Sequence, residues 1–105
     1  MSEYRIVWQD EAYANLLSIR DDIERASYSV EIANKVLGMS YARVEELTRF
    51  PYRYPVFPDR PILRRMVVDK DYCVFYRVIE EGKAVRILNI FWSRADAPLH
   101  IDPSM

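Results

Sequence analysis

Three apolar runs in the second half of the chain follow the pattern of β-strands. They lie at residues 62–68, 72–79 and 85–93 and are rich in β-branched and aromatic side chains. Polar turns at residues 69–71 and 80–83 separate them. Connections this short join antiparallel neighbours, so the pattern predicts a three-stranded β-meander over about residues 61–93.

The first half of the chain predicts one short strand and two helices. Residues 4–8 alternate weakly, and Asp10 is a candidate helix N-cap. Apolar positions then recur every three or four residues, which predicts helices over about 11–26 and 29–49. The second helix should end before Pro51, because the residue before proline avoids helical backbone angles. The two helices would form a hairpin within about residues 10–50.

A proline-rich connector, residues 51–61, leads from the helices into the sheet and holds four of the six prolines. It cannot form a regular helix or a central strand. We expect its aromatic residues Tyr52, Tyr54 and Phe57 to cover an edge of the core; a binding lip is the alternative. Gly38, inside the second helix, should mark a bend or a close approach of the two helices.

These elements predict an α+β fold with the order β-α-α-β-β-β. The helical hairpin packs on one face of a four-stranded, mainly antiparallel sheet. The first strand should join the meander, because a lone strand leaves its backbone groups without partners. The prediction is one domain over residues 1–105 with a C-terminal tail at 97–105.

Charge and composition exclude several kinds of site. The net charge is −1, and residues 1–50 are acidic on balance whereas residues 51–105 are basic. Such a chain has no broad attraction to nucleic acid. Glycine occurs twice, and Cys73 and His100 are single, so we expect no phosphate loop, disulfide, metal site or cofactor. Cys73 should be a small buried hydrophobe, and His100 an exposed tail residue. No apolar run reaches the ~20 residues that span a membrane, and we expect a cytoplasmic protein.

One set of residues on the predicted sheet could bind a ligand or partner. The helices cover only one face, so the other face should be open. Arginine and tyrosine there would suit phosphates, bases or an acidic peptide, and an ordinary solvated strand face is the alternative. The set comprises Arg64, Arg65, Tyr72, Tyr76, Arg77, Arg86, Trp92 and Arg94.

The order and spacing of these pieces resemble the RelE/ParE superfamily, the toxins of type II toxin–antitoxin systems that include plasmid stabilisation proteins. Residues 64–78, RRMVVDKDYCVFYRV, look like the family's basic strand, turn and Tyr-x-Val-x-Tyr-x-Val strand. Residues 87–96, ILNIFWSRAD, are similar to its final strand, and residues 10–23 to its first helix. The resemblance spans about residues 3–98.

The resemblance implies a toxin that inhibits bacterial growth and is neutralised by a cognate antitoxin with an acidic binding segment, in a heterotetramer or larger complex. ParE-like members poison DNA gyrase, whereas RelE-like members cut messenger RNA on the ribosome. In a nuclease, Arg65 and Arg94 would be catalytic and stabilise charge on the phosphate. The remaining residues of the set, Arg64, Tyr72, Tyr76, Arg77, Arg86 and Trp92, would bind the target or partner.

Departures from the nuclease pattern favour the ParE-like role. The chain has three lysines among its 15 basic residues. It carries Phe91-Trp92-Ser93 where many nuclease relatives place a histidine. A RelE-like messenger RNA endoribonuclease and a non-toxic interaction module of the same fold remain the alternatives.

Overall fold

The computed structural model describes residues 3–69 and 72–92. Two helices pack against one sheet, so the predicted α+β fold with a helical hairpin is confirmed. Within the described residues, no helix is both long and apolar enough to cross a membrane. The elements are β1 (Arg5–Trp8), α1 (Asp10–Ser27), α2 (Val30–Glu45), a 3-10 helix (Glu46–Thr48), β2 (Val56–Phe57), β3 (Arg60–Asp69), β4 (Tyr72–Ile79) and β5 (Ala84–Trp92).

The sheet has the strand order β1-β5-β4-β3-β2. Strands β3, β4 and β5 form the predicted antiparallel meander. Strand β1 joins it as predicted and runs parallel to β5, with Arg5 opposite Ala84. The sheet is therefore mixed, and its one parallel pair lies at the β1 edge.

The predicted number of strands, four, was wrong, because the proline-rich connector contains a fifth. Strand β2, Val56–Phe57, pairs antiparallel with β3 at the edge of the sheet. An edge strand tolerates flanking prolines, since only one of its sides forms backbone hydrogen bonds. Pro55 contributes on that side, because its carbonyl accepts a hydrogen bond from the Arg65 backbone N–H at 3.2 Å.

The helix ends differ slightly from the predictions. Asp10 is the first residue of α1 and not its N-cap; Gln9 precedes it and gives no side-chain cap. The carboxylate of Asp10 therefore stabilises the helix through its interaction with the positive end of the helix dipole. Ser29 caps α2 by accepting the Ile32 N–H at 3.1 Å. Of the two roles predicted for Gly38, the close approach of the helices was wrong, because a Cβ there would meet no atom within 4 Å, and the bend stays a prediction.

Apolar side chains are buried on both faces of the sheet. The main core lies between the helices and the sheet and includes Leu16 and Met66. A second cluster lies on the face that the helices do not cover, and Phe75 and Leu88 are 2% exposed there. Cys73 belongs to this second cluster, so its predicted burial is confirmed.

Candidate functional site

The arginines of the sheet are divided between its two faces. Side chains alternate along a strand, so the adjacent residues Arg64 and Arg65 point in opposite directions. Arg64 lies opposite Tyr76, whose ring belongs to the main core on the helix side. Arg65 lies opposite Phe75, which belongs to the second cluster. Arg65 is therefore on the face without helices, and Arg64 is on the other.

Tyr76 is a core residue, and its predicted place on the open face was wrong. Its side chain is 0% exposed, and its hydroxyl donates a hydrogen bond to the Pro51 carbonyl at 2.8 Å. Burial raises the pKa of Tyr76 to about 12. Tyr72 shares its face and is 6% exposed in the same core, so its predicted place was wrong too.

Arg64 fixes the proline-rich connector, and its predicted place on the open face was also wrong. Its guanidinium donates to the Tyr54 carbonyl at 2.7 Å and lies 4.9 Å above the Tyr52 ring. These contacts use the planar fork and the cation–π preference of arginine. With the bond from Tyr76 to Pro51, they hold the connector against the end of the helix-side core.

Arg77 and Arg86 lie directly opposite each other on β4 and β5. Like charges in this cross-strand position repel each other. The Arg86 Nε is buried and has no hydrogen-bond partner. Among the described residues, no carboxylate forms an ion pair with Arg86. Arg77 and Arg86 are both partly exposed, and two guanidinium groups on one partly exposed surface are suited to attract an anion.

Arg65 lies on the same face of the sheet as Arg77 and Arg86, nearer to the β2 edge. It is exposed and lines a cleft of about 530 Å³, whose wall is formed by the connector residues Tyr54 to Pro58. Burial raises the pKa of the Cys73 thiol, and the charge of Arg65 opposes this rise. We call the surface formed by Arg65, Arg77 and Arg86 the arginine face.

Two of the three connector aromatics, Tyr54 and Phe57, cover edges of the core as expected, whereas Tyr52 is 49% exposed and belongs to neither core cluster. Tyr54 packs against the main core, and Phe57 packs edge-to-face on Phe75 with ring centroids 5.8 Å apart. Tyr54 and Phe57 also line the cleft beside Arg65, so the connector forms one wall of that cleft. The two interpretations of the connector are therefore compatible with each other.

Two predicted site residues lie at or beyond the end of the described sheet. Trp92 is the last residue of β5 and lies opposite Tyr72. Arg94 lies outside the described residues. The predicted tail at 97–105, with His100, lies outside them as well.

Comparison with known proteins gives the family. Residues 6–97 match the family model described as the ParE toxin of the parDE type II toxin–antitoxin system. The chain belongs to this family. No curated protein sequence matches it significantly.

Solved toxin structures share the fold of this ParE-family chain. The chromosomal ParDE system from P. aeruginosa matches with a TM-score of 0.73 and 23% identity, over 86% of this chain and 96% of that one. The RelBE2 toxin–antitoxin complex from Mycobacterium tuberculosis matches at 0.60 and 18%, over 90% and 97%. A mutant of the E. coli toxin RelE in the free state matches at 0.59 and 12%, over 96% and 94%.

The ParE-family chain also contains a polar cluster that the sequence analysis missed. The Glu80 carboxylate accepts hydrogen bonds from Tyr4, Tyr52 and Lys83, which lowers the pKa of Glu80 to about 2. Lys83 also lies 5.0 Å from the centre of the Tyr4 ring. Two of these partners are 76 and 28 residues away in sequence, so no local pattern indicates them.

The chemistry available on the arginine face is anion binding and charge stabilisation. Within the described ranges, no group of His, Cys, Asp and Glu could hold a metal ion. Guanidinium groups stay protonated at any physiological pH and bind carboxylate or phosphate through paired donors. The face can therefore bind a carboxylate-bearing protein segment or a phosphate backbone.

Proposed function

We propose that this type II toxin inhibits bacterial growth by binding DNA gyrase through its arginine face. Membership of the ParE family supports a gyrase target. The observation that supports the surface is the pair of partly exposed arginines, Arg77 and Arg86, which lie directly opposite each other on β4 and β5. An anionic group bound there would be attracted by both guanidinium groups and would accept their hydrogen bonds.

The cognate antitoxin would neutralise the toxin by covering the same face. The segment that binds there should carry carboxylates, because Arg65, Arg77 and Arg86 supply only donors. A segment that folds on binding would gain affinity from charge pairing and from the apolar cleft beside Arg65. We propose a heterotetramer or larger complex in the cytoplasm, where both gyrase and ribosomes are present.

A RelE-like nuclease is the second candidate, and the exposed position of Arg65 on the arginine face favours it. In that mechanism Arg65 and Arg94 would stabilise the negative charge of the phosphate in the transition state. Loss of one such donor would lower the cleavage rate by roughly 100- to 1,000-fold. A gyrase poison would show no messenger RNA cleavage, so the two mechanisms differ in a direct readout.

The test is induction of the chain in a bacterial host, with a gyrase supercoiling assay on purified protein and primer extension on an abundant message. We expect growth arrest, inhibited supercoiling and no cleaved message. The variant Arg86→Ala should weaken supercoiling inhibition by roughly 10- to 100-fold, since hydrogen bonds to charged groups contribute about 1.5–3 kcal/mol. The variant should remain folded, as circular dichroism and thermal melting would show, because the substitution removes no hydrogen bond of the Arg86 Nε.

Arg49→Ala is the matched control, because Arg49 is an exposed arginine away from the sheet that pairs only loosely with Glu3, at 3.7 Å. It should remain fully inhibitory. Full inhibition by Arg86→Ala would refute the assignment of the arginine face. If the wild type cuts messenger RNA at codons and leaves supercoiling normal, and Arg65→Ala makes no such cuts, the nuclease mechanism is correct and the gyrase mechanism is wrong.

A further inference from the structure

The tip of the helical hairpin exposes apolar side chains that the fold does not use. Tyr28 lies between α1 and α2 and is 96% exposed. Val30 and Ile32, in the first turn of α2, are 53% and 50% exposed. The Tyr28 side chain forms no hydrogen bond, ion pair or ring contact with any part of the chain that the structure describes. An exposed aromatic with apolar neighbours is typical of a protein-binding site.

The backbone at Tyr28 is in an unfavourable conformation for a tyrosine. Its φ of 55° and ψ of 31° place it in the left-handed region, where glycine or asparagine usually ends a helix. The turn is fixed without the tyrosine ring. The Ser27 hydroxyl donates to the Ile23 carbonyl at 2.6 Å, and Ser29 caps α2. The tyrosine therefore costs stability without a compensating contact inside the chain, which points to a contact outside it.

The charges around the tip indicate the chemistry of a partner. A shallow hollow beside Tyr28 and Val30 is lined by Glu24 and Arg25. Residues 20–31 carry four carboxylates and two arginines, so the tip is acidic on balance. This charge disfavours a nucleic acid and disfavours an acidic antitoxin segment. It fits a protein surface with an apolar recess and a basic rim.

We propose that the hairpin tip docks on the target enzyme of the toxin by inserting Tyr28 into an apolar recess with a basic rim. Enzymes that handle DNA present basic surfaces, so this partner agrees with the proposed gyrase target, on which the inference rests. The tip belongs to the helical layer, whereas the arginine face lies on the opposite side of the sheet. The two surfaces can therefore be tested separately.

The decisive variants are Tyr28→Gly and Tyr28→Asn, because both residues suit the left-handed backbone and both remove the ring. We expect each variant to fold with a melting temperature at or above that of the wild type. A tyrosine at the centre of an interface commonly contributes enough that its loss lowers binding roughly 30-fold or more. We expect a loss of that size in growth inhibition and in supercoiling inhibition, with unchanged affinity for the antitoxin.

Two further variants control for surface area and for the hydroxyl. Phe50→Ala removes another exposed aromatic, 60% exposed, and should remain fully toxic. Tyr28→Phe keeps the ring and should retain most of the toxicity. Full toxicity of Tyr28→Gly and Tyr28→Asn would overturn the inference, and so would a loss of antitoxin binding, since the antitoxin would then be the occupant.

The design separates this inference from the proposed function. If the wild type arrests growth without affecting gyrase, the gyrase proposal fails, and the growth assay on the Tyr28 variants still decides whether the tip binds the target. If gyrase is inhibited equally by wild type and both ring-free variants, the tip inference alone fails. A wild-type chain that leaves growth unaffected overturns both.

Discussion

Removing the Tyr76 hydroxyl should destabilise the toxin even though the substitution deletes a single atom. The hydroxyl donates to the Pro51 carbonyl at 2.8 Å, and both residues are buried. In Tyr76→Phe the ring still fills the core, but the Pro51 carbonyl loses its donor and cannot reach water. The cost of a buried group left without a partner is about 1–3 kcal/mol. Each kcal/mol should lower the melting temperature of a domain of this size by roughly 4–8 °C.

The pH dependence of the same bond gives a second, independent measurement. Burial raises the pKa of Tyr76 from an ordinary value of 10.0 to about 12. As pH rises, the Tyr76 hydroxyl therefore loses its proton in the unfolded chain before it does so in the folded chain. The contribution of the protonated hydroxyl to the free energy of unfolding is complete below pH 10 and falls as pH rises towards 12. A pKa difference of this size corresponds to roughly 3 kcal/mol. Tyr76→Phe cannot ionise, so the stability difference between the two proteins should shrink over this range.

Denaturant unfolding from pH 7 to pH 11.5 measures both effects. The variant Tyr28→Phe is the matched control, because it removes a hydroxyl that is exposed and has no partner. Its stability should stay within about 0.5 kcal/mol of the wild type. A Tyr76→Phe protein as stable as the control at pH 7, or a stability difference that does not change with pH, would refute the role of this hydroxyl.

Two further substitutions test the side-chain contacts that Glu80 and Arg43 make at the ends and edge of the sheet. The variant Glu80→Gln has no carboxylate to protonate at this position. As pH falls from 4.5 towards the Glu80 pKa of about 2, the wild type should therefore lose more stability than the variant. An equal fall in the melting temperatures of both proteins from pH 5 to pH 2 would contradict this. The Arg43 guanidinium donates to the Val67 and Val68 carbonyls at 3.1 and 3.2 Å. Arg43→Met should therefore cost about 1–3 kcal/mol and promote self-association through the bare strand edge, measured by thermal melting and light scattering. Lys35→Met, which removes an exposed cation from the same helix, should remain monomeric.

The periodicity of the chain was sufficient to predict the helices and the meander. Ala12, Leu16 and Ile19 recur at helical spacing, and all three are buried in α1. The fifth strand was missed because prolines at positions 55 and 58 flank a pair of residues, and a pair is too short to show alternation. Only its pairing with β3 makes it a strand, and pairing is a property of the folded chain.

The division of the sheet residues between the two faces was misassigned, although the sequence contains the signal that decides it. Adjacent residues in a regular strand point to opposite faces, so Arg64 and Arg65 could not both lie on the open face. On β4, Arg77 is the one charged residue of YCVFYRVI and is expected on the less buried face. Alternation then places Phe75 with it and leaves Tyr76 on the helix side, as the structure shows.

The juxtaposition of Arg77 and Arg86 follows from the length of the turn between their strands. Residues 80–83 form that turn, and Gly82 and Lys83 have positive φ values of 87° and 52°. Ile79 therefore pairs with Ala84, and counting outwards by two residues on each strand brings Arg77 opposite Arg86. A turn of fixed length thus determines which charges meet, even though each arginine alone would be an ordinary strand residue. The four-residue turn therefore sets the register that brings the two arginines together, whichever macromolecule the toxin binds.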